Sequence, residues 1–60
     1  MTEYVLYWRS MQNITWCYGG TYKSVDAAKR KAKKELGKTP YQYKVKILSG
    51  EIVAIDSVNF

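Results

Sequence analysis

Between Ser24 and Gly37 runs the clearest helical period of this chain, and its apolar stripe is unusually thin. Val25, Ala28, Ala32 and Leu36 recur at spacings of three and four, the repeat that lines one side of an α-helix. Ser24 suits the N-cap, because its hydroxyl can accept an amide hydrogen that the first turn leaves free. Asp26 sits near the positive end of the helix dipole, and Lys33 and Lys34 sit near the negative end. Gly37 fits the left-handed position just past the end, with Pro40 a little beyond. A stripe built mainly from alanine requires a flat partner at close range, so the helix is expected to lie against a sheet.

The flanking segments supply that sheet. Tyr4 to Met11 is rich in aromatic and β-branched residues and reads as a strand. Gln12-Asn13 suits a turn, and Ile14 to Tyr18 reads as a second strand ended by Gly19-Gly20. Both strands are apolar at nearly every residue, whereas a sheet covered on one side should alternate more cleanly. Tyr41 to Leu48 does alternate, with Tyr41, Tyr43, Val45 and Ile47 on one face and Gln42, Lys44 and Lys46 on the other. Ser49-Gly50 is a turn and Ile52 to Val58 the last strand. A three-residue loop with Gly50 in a left-handed bulge position pairs Val45 with Val53 and Tyr43 with Ile55. That register leaves Lys44 and Lys46 opposite Ala54 and Ile52; a two-residue loop would instead turn Ile52 inward. The expected architecture is a single α+β domain over residues 1–60, β-β-α-β-β, with one helix on one face of a mostly antiparallel four-stranded sheet. Strand order does not follow from these signals.

Size and composition restrict the chemistry. A 60-residue chain buries only about 60% of its unfolded surface, so its core is thin. Cys17 is the single cysteine and there is no histidine, which leaves neither an intrachain disulfide nor a Cys/His zinc set. Packing must come from two Trp, six Tyr and one Phe. The N-terminus lacks the basic and apolar runs of a signal peptide, no apolar run approaches membrane-spanning length, and one unpaired cysteine fits a reducing compartment. A cytoplasmic protein with no membrane association is expected.

Catalysis is not expected, and no cofactor is implied. The usual general base near neutral pH is missing. Cys17, within the apolar run Trp16-Cys17-Tyr18, reads as a small buried hydrophobe. The carboxylates Glu3, Asp26, Glu35, Glu51 and Asp56 are scattered. Gly19-Gly20 lacks the longer glycine-rich run, Lys and Ser/Thr of a phosphate loop.

Binding is the stronger expectation. Ten Lys/Arg against five Asp/Glu give a net charge of +5, a field that attracts polyanions. Lys29, Arg30, Lys33 and Lys34 fall on one helix face opposite the alanine stripe, flanked by Lys31. A mixed-sign surface would gain from Glu–Lys pairs, while like charges four apart cost a few tenths of a kcal/mol each. That imbalance points to phosphates or an acidic protein surface. One helix also leaves a sheet face uncovered, showing either Val5, Tyr7 and Arg9 or Tyr4, Leu6 and Trp8 beside Lys44 and Lys46. Aromatics interleaved with cations on a sheet can stack the bases of single-stranded nucleic acid. The same face would also serve as a homodimer or protein interface, or its aromatics would simply pack under the helix.

From Tyr18 onward, about two thirds of the chain, three elements follow in order: the strand ending at Gly19-Gly20, the helix Val25-Asp26-Ala27-Ala28-Lys29-Arg30-Lys31-Ala32 and the hairpin from Tyr43 to Ile55. In layout they resemble small phage-encoded anti-CRISPR proteins directed against type I surveillance complexes. The resemblance implies a stoichiometric inhibitor that occupies a nucleic-acid-binding site or nucleoprotein complex in the host cytoplasm, and it transfers no functional residue. The leading expectation is therefore a non-catalytic inhibitor of a host protein or nucleoprotein complex. It would engage its partner through Lys29, Arg30, Lys33, Lys34, Lys44, Lys46, Arg9 and Tyr7. The alternatives are a direct nucleic-acid-binding module and an oligomer-forming accessory protein.

Overall fold

The structure is a computed structural model, described here for residues 2–58. The chain forms β1 (Tyr4–Ser10), β2 (Cys17–Tyr22), α1 (Val25–Leu36), β3 (Tyr41–Ile47) and β4 (Ile52–Val58), the α+β order expected. The sheet runs β2-β1-β3-β4, and every neighbouring pair is antiparallel. β2 and β3 both oppose β1 and so point the same way. A connection between strands of like direction needs a crossover, and α1 provides it, passing over β1 to reach the far side.

The helix ends where its caps place it. Ser24 is extended (φ −149°, ψ 158°), and its Oγ accepts the Ala27 N–H at 3.1 Å. Gly37, at φ 57°, donates its N–H to the Lys33 carbonyl at 3.2 Å. Ala28 and Ala32 are fully covered. They meet Leu6, Tyr41, Tyr43 and Val45, with Tyr4, Trp8, Tyr22, Val25, Leu36, Ala54 and Val58 packed around them. The Tyr41 and Tyr43 rings lie 6.1 Å apart. Burial pushes both phenols above their ordinary pKa, and the nearby Asp56 carboxylate adds to the shift. The Tyr41 Oη is buried without a hydrogen-bond partner, a defect that costs about 1–3 kcal/mol.

Three expectations need correction. First, Gly19-Gly20 does not end β2 but lies inside it. β2 begins at Cys17 instead of Ile14, and Ile14 to Trp16 form an irregular connection. The pairing with β1 slips between Leu6 and Tyr7, which leaves Gly19 as the extra residue of a bulge. A Cβ at Gly19 would come within 3.0 Å of the Leu6 side chain and 3.1 Å of Trp8, so the glycine lets the edge strand close over the core. Second, Cys17 is exposed; the first position of an edge strand lies outside the helix's cover.

Third, the β3–β4 register differs beyond its first rungs. The three-residue loop forms, closed by Ile47 N–H to Glu51 O at 2.9 Å, and Lys46 faces Ile52 as expected. Gly50, however, is not in the left-handed region. The bulge falls instead at Val53, after which Val45 meets Ala54, Lys44 meets Ile55 and Tyr43 meets Asp56. The small Ala54 therefore comes under the helix side, and Ile52 and Ile55 are left on the far face, both more than half exposed.

Candidate binding face

Alternation along β1 and β3 decides which side chains the helix covers. Leu6 pairs with Val45 and Trp8 with Tyr43, so these lie beneath α1 with the core. Val5, Tyr7 and Arg9 therefore project from the face opposite the helix, beside Lys46, Lys44 and Gln42 respectively, although Val5 is itself buried there by its neighbours. This is the first of the two arrangements expected for that face. Adding the outer strands completes three rows: Thr21, Val5, Lys46 and Ile52; Tyr18, Tyr7, Lys44 and Ile55; Arg9, Gln42 and Ser57. Lys44 and Lys46 form a central ridge with aromatic rings on one side and isoleucines on the other.

Trp16 organises this face. It stands in the connection just before β2, and its ring lies against two cations, 4.9 Å from Arg9 Cζ and 4.4 Å from Lys44 Nζ. Lys44 Nζ is also 5.6 Å from the Tyr7 ring centre, and Tyr7 meets Tyr18 edge to face at 6.3 Å. Cation–π contacts of this kind contribute about 0.5–1 kcal/mol each at exposed sites. Tyr18 shares a hydroxyl hydrogen bond of 2.8 Å with Thr21.

Arg9 is fixed as well as stacked. Its Nε and Nη2 donate to Gln42 Oε1 at 2.9 and 2.7 Å, and its Nη1 donates to the Asn13 carbonyl at 3.4 Å. The turn that presents this carbonyl is closed by Asn13 N–H to Ser10 O and by Gln12 N–H to Ser10 Oγ. A guanidinium carries five N–H donors, so these bonds leave part of its fork for a ligand. Among the described residues no carboxylate occupies a strand position on this face. Asp56 pairs with Tyr43 on the helix side, Asp26 and Glu35 belong to α1, and Glu3 and Glu51 lie just outside the strands.

The expected binding residues thus separate into two groups. Arg9, Tyr7, Lys44 and Lys46 come together on the open face. Lys29, Arg30, Lys33 and Lys34 lie on the helix, across the sheet from them. Within the helix group, Arg30, Lys33 and Lys34 are exposed, but Lys29 is half-buried at the flank, because it directly follows Ala28 on the covered stripe. Lys31 pairs with Glu35 at 2.5 Å. Their hydrogen bond, reinforced by the opposite charges, raises the Lys31 pKa and lowers that of Glu35. It is the one ion pair among the described residues.

Sequence reasoning missed Trp16, Gln42 and the isoleucines. Trp16 was read as part of a strand, where its direction would follow alternation; an irregular segment lets it fold back over Arg9. Gln42 was visible as the β3 neighbour of Lys44 on the polar face, and the Arg9–Gln42 contact needed the strand order. A cleft of about 560 Å³ lies on the helix side, floored by Leu6, Trp8, Gly19, Gly20 and Ala32, and it shares Tyr18 with the open face. Its rim carries the Lys31–Glu35 pair, and no sequence-predicted binding residue lines it.

Among the described residues no helix is long and apolar enough to cross a membrane. Comparison with known protein families, with characterised proteins and with solved structures finds no match for this chain. The class that fold and site define is therefore a small α+β domain with an uncovered basic–aromatic sheet face.

Proposed function

We propose that this chain is a non-catalytic binding protein that takes up single-stranded nucleic acid on its open sheet face. The observation that carries the reading is the Arg9–Trp16–Lys44–Tyr7 cluster, in which cations and rings are held together before any ligand arrives. Phosphates would lie along the ridge of Lys46, Lys44 and Arg9, while bases meet the rings of Tyr7, Tyr18 and Trp16. Base–aromatic stacking is worth about 1–3 kcal/mol per base and tolerates any sequence. A duplex, with its bases stacked inside, would use only the charges. The face therefore favours single strands.

Titrating the protein with single-stranded and duplex oligonucleotides across a salt series tests this reading, with Trp fluorescence as the signal. The expected result is preferential single-strand binding, with log K falling linearly against log salt at about 0.7 per phosphate contacted. Lys44→Glu with Lys46→Glu should abolish the preference for single strands over duplex. No binding at low salt would defeat the proposal.

A second reading is favoured by Ile52, Val53 and Ile55, which leave 43–57% of their surface exposed at the β4 side of the sheet. Apolar residues beside a cationic ridge suit an acidic protein surface, as a stoichiometric inhibitor of a nucleoprotein complex would require. Its mark would be a one-to-one protein complex that Ile55→Lys disrupts while oligonucleotide binding is not weakened.

A further inference from the structure

The open face holds only part of the positive charge. On the other side of the sheet, α1 presents Arg30, Lys33 and Lys34 to solvent, with Lys29 at its flank. Glu35 is engaged by Lys31, and the helix's other acid, Asp26, lies in its first turn. The exposed middle of the helix is thus predominantly cationic: among the described residues Arg30, Lys33 and Lys34 form no ion pair, although Asp26 stands four residues before Arg30 and Glu35 lies next to Lys34. Lys29 with Lys33 and Arg30 with Lys34 stand four residues apart, a spacing at which like charges repel. Arg30, Lys31 and Lys34 also line a shallow hollow of about 250 Å³ together with Tyr22 and Ala27. Apart from Tyr22, this surface offers no ring to a base. It suits phosphate backbone, which is bound by charge and carries no sequence information.

α1 lies on one face of the sheet and the Arg9–Trp16–Lys44 cluster on the other, so one straight ligand cannot touch both. We propose that the domain is two-sided. The open face takes one single-stranded segment, α1 takes the phosphate backbone of a second, and a single copy bridges the two. This inference rests on the nucleic-acid reading of the open face and adds to it an occupant for the helix. Charge complementarity selects that occupant, since the surface has cations in excess and little else.

Mixing donor-labelled and acceptor-labelled single-stranded oligo(dT) with the protein tests bridging directly. Energy transfer should rise when oligonucleotide exceeds protein, then fall when excess protein gives each strand its own copies. The triple variant Arg30→Glu, Lys33→Glu, Lys34→Glu should lose the transfer and still bind one oligonucleotide through the open face. Its salt slope should be shallower by about 0.7 for each phosphate contact removed. Glu is a good helix former, and the Gln triple variant, carrying no new charge, guards against misfolding by giving the same loss. Intact binding with no transfer at any ratio would overturn the proposal. So would transfer that survives both triple variants, because bridging would then come from self-association. Absence of any oligonucleotide binding would instead bring down the reading of the open face, and this one with it.

Discussion

The two faces of the sheet are built from the same strands, residue by residue in alternation, and they serve opposite ends. Beneath α1, Leu6, Tyr41, Tyr43 and Val45 are almost wholly covered and meet Ala28 and Ala32 at close range. One residue along, Tyr7, Arg9, Lys44 and Lys46 face out, held by Trp16 and Gln42 rather than by a second layer. Both faces carry aromatics, but in different company. Rings among alanines and aliphatics remove area from water and hold the fold. Rings among cations hold those cations in place, which contributes little to stability and leaves a positively charged aromatic surface, the one proposed above to take an anionic ligand. Aromatic content by itself therefore does not distinguish core from site; the neighbour in the next strand does.

The largest effect that would sharpen this contrast is on the covered side. Tyr43→Ala removes a buried ring from the centre of the core and should cost about 3–5 kcal/mol in chemical denaturation. For a domain this small that loss approaches its whole stability. A cost near 1 kcal/mol would mean that the covered face is not the core. Next in size, Tyr41→Phe deletes the buried hydroxyl that lacks a partner and should raise stability by about 1 kcal/mol. The gain would appear as a Tm higher by about 4–8 °C. A loss would show that the hydroxyl is satisfied after all. The smallest effect belongs to the open face. Lys44→Ala gives up two contacts made by one ammonium, to Trp16 and Tyr7, and should cost about 1 kcal/mol, the low end for two such pairs, yet it should weaken oligonucleotide binding and flatten the salt dependence. Unfolding comparable to Tyr43→Ala would erase the distinction between the two faces.

Local signals carried most of the fold. Ser24, Asp26 and Gly37 marked the helix ends, and the alternation Tyr41, Tyr43, Val45 against Gln42, Lys44, Lys46 marked β3, because both are written in neighbouring residues. Strand order was not legible, since antiparallel pairing of β1 with β3 depends on the helix crossover and on long-range burial. The bulges at Gly19 and Val53 were hidden for a related reason. An extra residue in a strand looks locally like any other, and only the partner strand makes it extra. Half of the open face followed from alternation once β1 was placed. The other half, Trp16 over Arg9 and Lys44, depended on a connection leaving the sheet and returning, which no periodicity records. The same irregular entry into β2 explains why Cys17, read as buried, is exposed.

The indole resonances of the two tryptophans test the central claim most directly, because one lies on each side of the sheet. In ¹⁵N-labelled protein titrated with single-stranded oligo(dT), the Trp16 indole N–H should shift strongly, since its ring packs on Arg9 and Lys44. The Trp8 indole, among the core residues on the helix side, should stay in place. A Trp16 signal that does not move while helix amides shift with bound oligonucleotide would contradict the account, placing the ligand on α1 and leaving the open face without its proposed role.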